Sequence, residues 1–434
     1  MSRLIHSIVL ACFAVSMAHA QDDDGWEVVD GPFGRVVSQG AGYLQRTTET
    51  ELSRLQRAVE LSAAEKIQLQ NKLTPLIKIV AGNTRSASWG RYSRRELPPA
   101  IVEAIAKHSL AMSGKSEQLD AYLTDLRARQ SFRYETSAKL FVVQVDRAVG
   151  LAEDQIPKVE TIAKRLARTG SLPISYIPEG DKLYQDLGQK LAKVLTAEQS
   201  RWWIANAAES RIKQYEIHIA HVSRDEQRSY LEPKFRPLAE SRISQLASQL
   251  KLSNKQVARL KLASKGAVAG VIDDRLDAQI WLSEQSSAGN TDPVHGYSRT
   301  TKAAIAMVEL SQLLFRHSRW RGLMLSVLDE QQKEVFLKSE AMTLARERDA
   351  FVCAWVLAKT GDLPMTARER TDFRKLIAAA MPKPDGRKPD FWVLADEAYV
   401  AIEQHRYASI FSEENLASIN TRIGYAKQNM PRTR

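Results

Sequence analysis

Apolar residues recur at intervals of three and four along most of this chain. Leu69, Leu73, Leu76 and Val80 are spaced this way, as are Leu183, Leu187, Leu191 and Leu195. Val257, Leu260 and Ala267 continue the theme. Such spacing lines the residues along one face of a helix. Sustained alternation of apolar and polar residues is nearly absent from Tyr43 onward, so the pattern predicts an all-α fold. The strand-like exception is Trp26-Glu27-Val28-Val29, then Asp30-Gly31-Pro32-Phe33-Gly34, then Arg35-Val36-Val37. It reads either as a short hairpin or as part of a flexible N-terminal segment over 21–42.

A punctuation mark interrupts the helical pattern. Leu195-Thr196-Ala197-Glu198-Gln199 has the layout of a capping box. The Thr196 hydroxyl is placed to accept from a backbone N–H three residues on, while Gln199 reaches back to the N–H of the cap residue. Leu195 is suited to pack across the turn as a hydrophobic staple. Similar pieces occur at Leu61-Ser62-x-x-Glu65, Leu252-Ser253-x-x-Gln256 and Met365-Thr366-x-x-Glu369. Leu328-Asp329-x-x-Gln332 and Phe411-Ser412-x-x-Asn415 belong with them. Leu151-Ala152-x-x-Gln155 and Leu126-Arg127-x-x-Gln130 are degenerate, because Ala and Arg cannot accept the cap bond. Pro157 predicts that the helix after 151 starts late.

The copies alternate between two kinds, one at 61, 151, 252 and 365 and the other at 126, 195, 328 and 411. Copies of the first kind are 90, 101 and 113 residues apart. This predicts four degenerate helical repeat units, over 44–135, 136–230, 231–345 and 346–430, forming an elongated array or a helical bundle. Each unit carries a Gly-, Pro- or Ser-rich interruption between its two copies, at 81–99, 169–180, 283–298 and 382–389.

An apolar residue, Thr or Ser, then Gln or Glu three on resembles the motif of the LTXXQ-motif periplasmic proteins. Residues 195–199 fit it in full and the other copies in part. The resemblance implies an all-helical, chaperone-like envelope protein without catalytic chemistry. Met1–Ala20 reads as a secretory leader: Arg3 is the charged start, Ile8 to Met17 the apolar run, and Ala18-His19-Ala20 a small-residue cleavage site. A lipoprotein leader ending at Cys12 is the alternative. The expected location is therefore periplasmic or secreted, after cleavage near Ala20. No later segment has the uninterrupted apolar length of a membrane span.

Cleavage at Ala20 removes Arg3 and no acid, taking the net charge from +11 to +10, and it leaves Cys353 as the one cysteine. No intrachain disulfide is then possible, and the apolar run around Cys353 reads as core. The chemistry-bearing candidates are few. Arg85, Trp89, Arg91, Tyr92, Arg94 and Arg95 form the densest basic and aromatic cluster. Guanidinium forks beside aromatic faces suit phosphate or sulfate groups and stacked rings. For an exported chain this points to an anionic envelope component or an acidic protein, not to nucleic acid. The aromatics Tyr176, Tyr297, Phe391 and Trp392 in or beside the later interruptions form a candidate partner-binding row.

His218-x-x-His221 puts two rings on one helix face but lacks a third ligand, and Asp273, Asp274 and Asp277 lack the layout of a calcium loop. Neither predicts a metal site, and no cofactor or catalytic residue is expected. The favoured reading is a non-catalytic scaffold or chaperone-like protein that binds a protein or an anionic envelope component. The alternatives are a polyanion or cell-surface binder through 85–95, and an enzyme with an unrecognised site. The oligomeric state stays open.

Overall fold

The computed structural model describes most of residues 51–71 and 102–168, and residues 181–204, 224–287, 318–360, 363–382 and 391–429. The leader, the 21–42 segment, His218 and His221 lie outside these. Among the described residues every regular element is helical and none is a strand, as the apolar spacing predicts.

The chain divides into two compact units. One takes its described residues from within Met1–Arg133, Val356–Lys375 and Glu403–Asn420; the other takes them from within Tyr134–Trp355, Leu376–Ile402 and Thr421–Arg434.

In the second unit, two cores form around the corners that the caps mark. Helix Ile156–Arg168 and helix Asp181–Leu191 close one core with Val159, Ala163, Leu187, Leu191, Leu195 and Trp203. Trp203 is fully buried and meets Phe141 edge-on, with ring centroids 6.1 Å apart. Helices Arg224–Gln249, Asn254–Ser287 and Ser318–Val327 close the other, around Phe235, Ile243, Leu260, Ile272, Trp320 and Met324. Leu187, Leu191 and Leu195 are buried as their four-residue spacing demands, and so are Leu260 and Ala267. Helix Asn254–Ser287 runs on through 283–287, where the Ser-rich composition predicts the start of a loop.

Cys353 is buried in the same unit, within the 31-residue helix Glu330–Thr360. Nearby, the Trp355 indole N–H donates to Asp396 at 2.9 Å, and Trp355 lies against Tyr399 with centroids 5.3 Å apart. The first unit has an aromatic centre of its own. Phe373 on helix Ala367–Ala380 meets Phe411 at 5.2 Å and Tyr407 at 6.2 Å.

The caps fall at helix starts. Ser62, Thr196, Ser253 and Thr366 each accept the N–H three residues on, at 3.1 to 3.3 Å. The cap N–H of each returns to the Glu or Gln side chain at 2.7 to 2.9 Å. Asp329 and Gln332 do the same at 2.8 and 3.2 Å. Ala152 keeps only the half that its backbone can make, to Gln155 at 2.9 Å, and the helix there begins late, at Ile156.

Two copies depart from the expected capping box. Ser412 and Asn415 do not bond to each other: the Ser412 N–H lies 3.4 Å from Glu369, and the Asn415 amide donates to the Pro364 carbonyl at 3.3 Å. Leu126-Arg127-x-x-Gln130 lies in the middle of helix Leu119–Val149, not at its start. The turn sits earlier, at 114–118. Gly114 has φ +70, Lys115 N–H reaches back to the Leu110 carbonyl at 2.9 Å, and a short 3-10 turn Ser116–Gln118 leads into the helix. Arg127 has no short side-chain acceptor with which to cap, so nothing stops helix propagation through it.

Candidate functional site

The recurring motif does more than cap its own helix. Gln155 and Gln199 are buried, and their amides face each other. Gln155 Nε2 donates to Gln199 Oε1 at 2.8 Å, and Gln199 Nε2 donates to Gln155 Oε1 at 2.9 Å. Each amide also donates to a carbonyl at the other corner: Gln155 to Val194 at 2.8 Å, Gln199 to Gly150 at 3.1 Å. Those carbonyls close an incoming helix, where no intrahelical N–H is left to satisfy them. One side chain thus supplies an acceptor to its own helix start and a donor to its neighbour's helix end.

The pair Gln256 and Gln332 repeats the arrangement. Gln256 Nε2 donates to Gln332 Oε1 at 2.7 Å and to the Val327 carbonyl at 3.0 Å. Gln332 Nε2 donates to the Leu250 carbonyl at 3.2 Å. Left-handed backbone precedes three of the corners, at Gly114, Gly150 and Lys251. That conformation reverses the chain and is costly for Lys251, which has a Cβ.

In the first unit, glutamate replaces glutamine, and the chemistry changes accordingly. A carboxylate accepts the cap N–H but has no hydrogen to donate across the corner. A cation supplies the missing donor. Lys115 Nζ lies 3.3 Å from Glu65, and Arg57 pairs with Glu369 while also donating to the Pro364 carbonyl. Asn415 donates to the same carbonyl at 3.3 Å, and the Ser412 N–H lies 3.4 Å from Glu369. The bonds from Ser62 hold the Glu65 carboxyl below its ordinary range.

Behind this corner lies the most concentrated buried charge of the first unit. Glu51 is 3% exposed and pairs with Arg54; Arg129 Nη1 contacts its two oxygens at 3.2 and 3.1 Å. The Tyr122 hydroxyl donates to Glu51 at 2.9 Å, and Asp125 steadies Arg129 at 3.0 Å. Arg54 also donates to the Thr360 carbonyl. Burial pushes the Glu51 carboxyl up, but Arg54, Arg129 and the Tyr122 hydroxyl outweigh it and hold it below the ordinary range. Burial and the Glu51 charge push the Tyr122 phenol far up. A phenol held protonated beside a carboxylate held charged forms a structural link, with no proton poised for transfer near neutral pH.

Charged pairs also join helices in the second unit. Asp146 meets Arg346 at 2.9 Å, Arg147 meets Glu347 at 2.8 Å, and Lys139 meets Asp349 at 2.7 Å. Arg242 is half-buried nearby. Burial lowers its pKa, opposed by Asp146 and Glu340. The acidic trio is engaged as well: Asp273 pairs with Arg228, and Asp277 with Arg224 at 2.9 Å. Among the described residues no group of three or more His, Cys, Asp or Glu is placed to hold a metal.

Arg85, Trp89, Arg91, Tyr92, Arg94 and Arg95 lie outside the described residues, as do Tyr176 and Tyr297. Phe391 opens helix Phe391–Ala401, is buried, and stacks on Phe351 with centroids 5.8 Å apart and planes 19° apart. Trp392 follows it in the same helix. Of the row, only Phe391 has a described side-chain environment. The cross-corner bonds and the Glu51 cluster have no signature in the sequence beyond the capping boxes and helical i, i+3 spacing. Searches against known protein families, curated proteins and solved structures return no match to this chain.

Proposed function

We propose that this chain is an exported, non-catalytic helical scaffold of the cell envelope, which works by binding a protein or an anionic envelope component. The observation that carries the reading is the use made of the recurring motif. Its glutamines are engaged in holding helix corners to one another, which is the work of a scaffold. The leader-like residues 1–20 support export, and the resemblance of 195–199 to the LTXXQ motif supports a chaperone-like role. On this reading the corners belong to four related helical units that bury their apolar faces against one another.

The test is made in cells. The mature N-terminus should be Gln21, the protein should fractionate with the envelope, and chemical cross-linking should give a discrete partner band. A chain that keeps Met1 and stays inside the cell would sink the proposal.

A second reading rests on the basic cluster and the net charge of +11. Arg85–Arg95 would hold sulfated or phosphorylated polymer. Retention on heparin should then fall steeply with salt and be lost in R91A/R94A/R95A. Equal retention of that variant removes the reading.

A further inference from the structure

Among the described residues, the most exposed large hydrophobic side chain is Leu262, 71% exposed on helix Asn254–Ser287. It does not stand on an ordinary polar face. Ala258, Gly266 and Ala269 are exposed along the same stripe, one turn apart, and nothing lies within 4 Å of the position where a Gly266 Cβ would be. Leu262 is therefore the single protrusion on a low ridge.

Around it stand Lys255, Arg259, Lys261 and Lys265, all exposed. Arg259 falls on one flank of the ridge, Lys261 and Lys265 on the other, and Lys255 at its N-terminal end. None of the four has a hydrogen-bonded or ionic side-chain partner among the described residues. The helix carries no acid from Asn254 to Ile272. This sets it apart from Arg224, Arg228, Arg346 and Lys139, whose charges are answered by Asp or Glu.

We propose that this face of helix Asn254–Ser287 docks on the surface of an anionic phospholipid bilayer. Leu262 enters between the headgroups while the four cations lie at the level of the phosphates. Charge complementarity selects the occupant. One leucine among small residues offers far less apolar area than a stable protein interface requires. A fluid anionic surface needs no shape match, and it answers each cation at once. No described helix is long and apolar enough to cross a membrane, so the contact is peripheral.

The test is co-sedimentation of the purified mature chain with vesicles containing about 30% phosphatidylglycerol in phosphatidylcholine. Binding should be at least about tenfold tighter than to pure phosphatidylcholine and should weaken as salt rises. L262D and K261E/K265E should each lower it by at least about tenfold, with unchanged helical circular dichroism, because both sites are exposed. Vesicle binding by purified protein does not depend on where the cell keeps it, so failure here and failure of the envelope reading are separate results. The proposal is overturned if wild type ignores the anionic vesicles, if L262D and K261E/K265E bind like wild type, or if the chain binds soluble polyglutamate but no vesicle.

Discussion

Replacing Gln199 with glutamate changes one atom type in the cross-corner clasp and tests its logic. The carboxylate still accepts the Thr196 N–H, now 2.9 Å from Oε1, and the Gln155 amide, now at 2.8 Å. It cannot make the donations to the Gly150 carbonyl and to Gln155 Oε1, at 3.1 and 2.9 Å. Two hydrogen bonds are lost, and a charged oxygen is left facing two acceptors in a site where Gln199 is 7% exposed. Two lost bonds and the unanswered acceptors together cost about 3 kcal/mol. Glu65 and Glu369 avoid this cost through Lys115 and Arg57, and among the described residues no cation is bonded to Gln199.

Hydrogen exchange at the corner amides is the suited assay, because it reads local opening directly. Protection over 150–156 and 196–203 in Gln199→Glu should fall by about a hundredfold at neutral pH. Burial among carbonyls raises a carboxyl pKa, so the introduced group regains a donor as pH falls through that raised value. The deficit relative to wild type should therefore shrink in mild acid. Protection equal to wild type at neutral pH, or a deficit that grows in acid, would refute the reasoning.

Further expectations follow from neighbouring features. Gly150 has φ +58, and a Cβ there would lie 1.6 Å from Gln245 Nε2, which donates to the Gly150 carbonyl. Gly150→Ala should cost about 2 kcal/mol in urea unfolding, from left-handed strain and the displaced glutamine. Gly114→Ala, with nothing near its Cβ position, should cost about 1 kcal/mol from strain alone. Equal losses would contradict the contact argument. Glu51→Gln removes the buried anion that Arg54 and Arg129 share and should destabilise the first unit by about 3–5 kcal/mol, read from exchange over 119–133. The Glu51 carboxyl is held below its ordinary value of 4.5, so its contribution is present above that pH and is lost as pH falls through the lowered value. Acid should accordingly release exchange in the first unit of wild type, and Glu51→Gln should lack that step.

The helical character of the chain and the positions of its corners were legible because both are local. A three-and-four apolar spacing reports one helix face, and Thr196-x-x-Gln199 is complete within four residues. The pairing of corners was not legible. Gln155 meets Gln199 across 44 residues, and nothing near either glutamine marks its partner. The corner at 114–118 escaped because it begins with Lys115 instead of Ser, Thr or Asp; its one local mark is Gly114. Leu126-Arg127-x-x-Gln130 matched the spacing by coincidence, since helix Leu119–Val149 places polar residues at the same interval. Glu51 and Arg54 look in sequence like an ordinary surface pair at i, i+3. Burial by Tyr122, Arg129 and the Thr360 carbonyl makes them a core feature.

A double-mutant cycle with Gln155→Ala and Gln199→Ala, measured by urea unfolding, tests the paired corners most directly. The two amides bond to each other and to each other's helix ends, so the cycle should show a coupling of about 1–3 kcal/mol. Strictly additive losses would mean that the two corners stand alone.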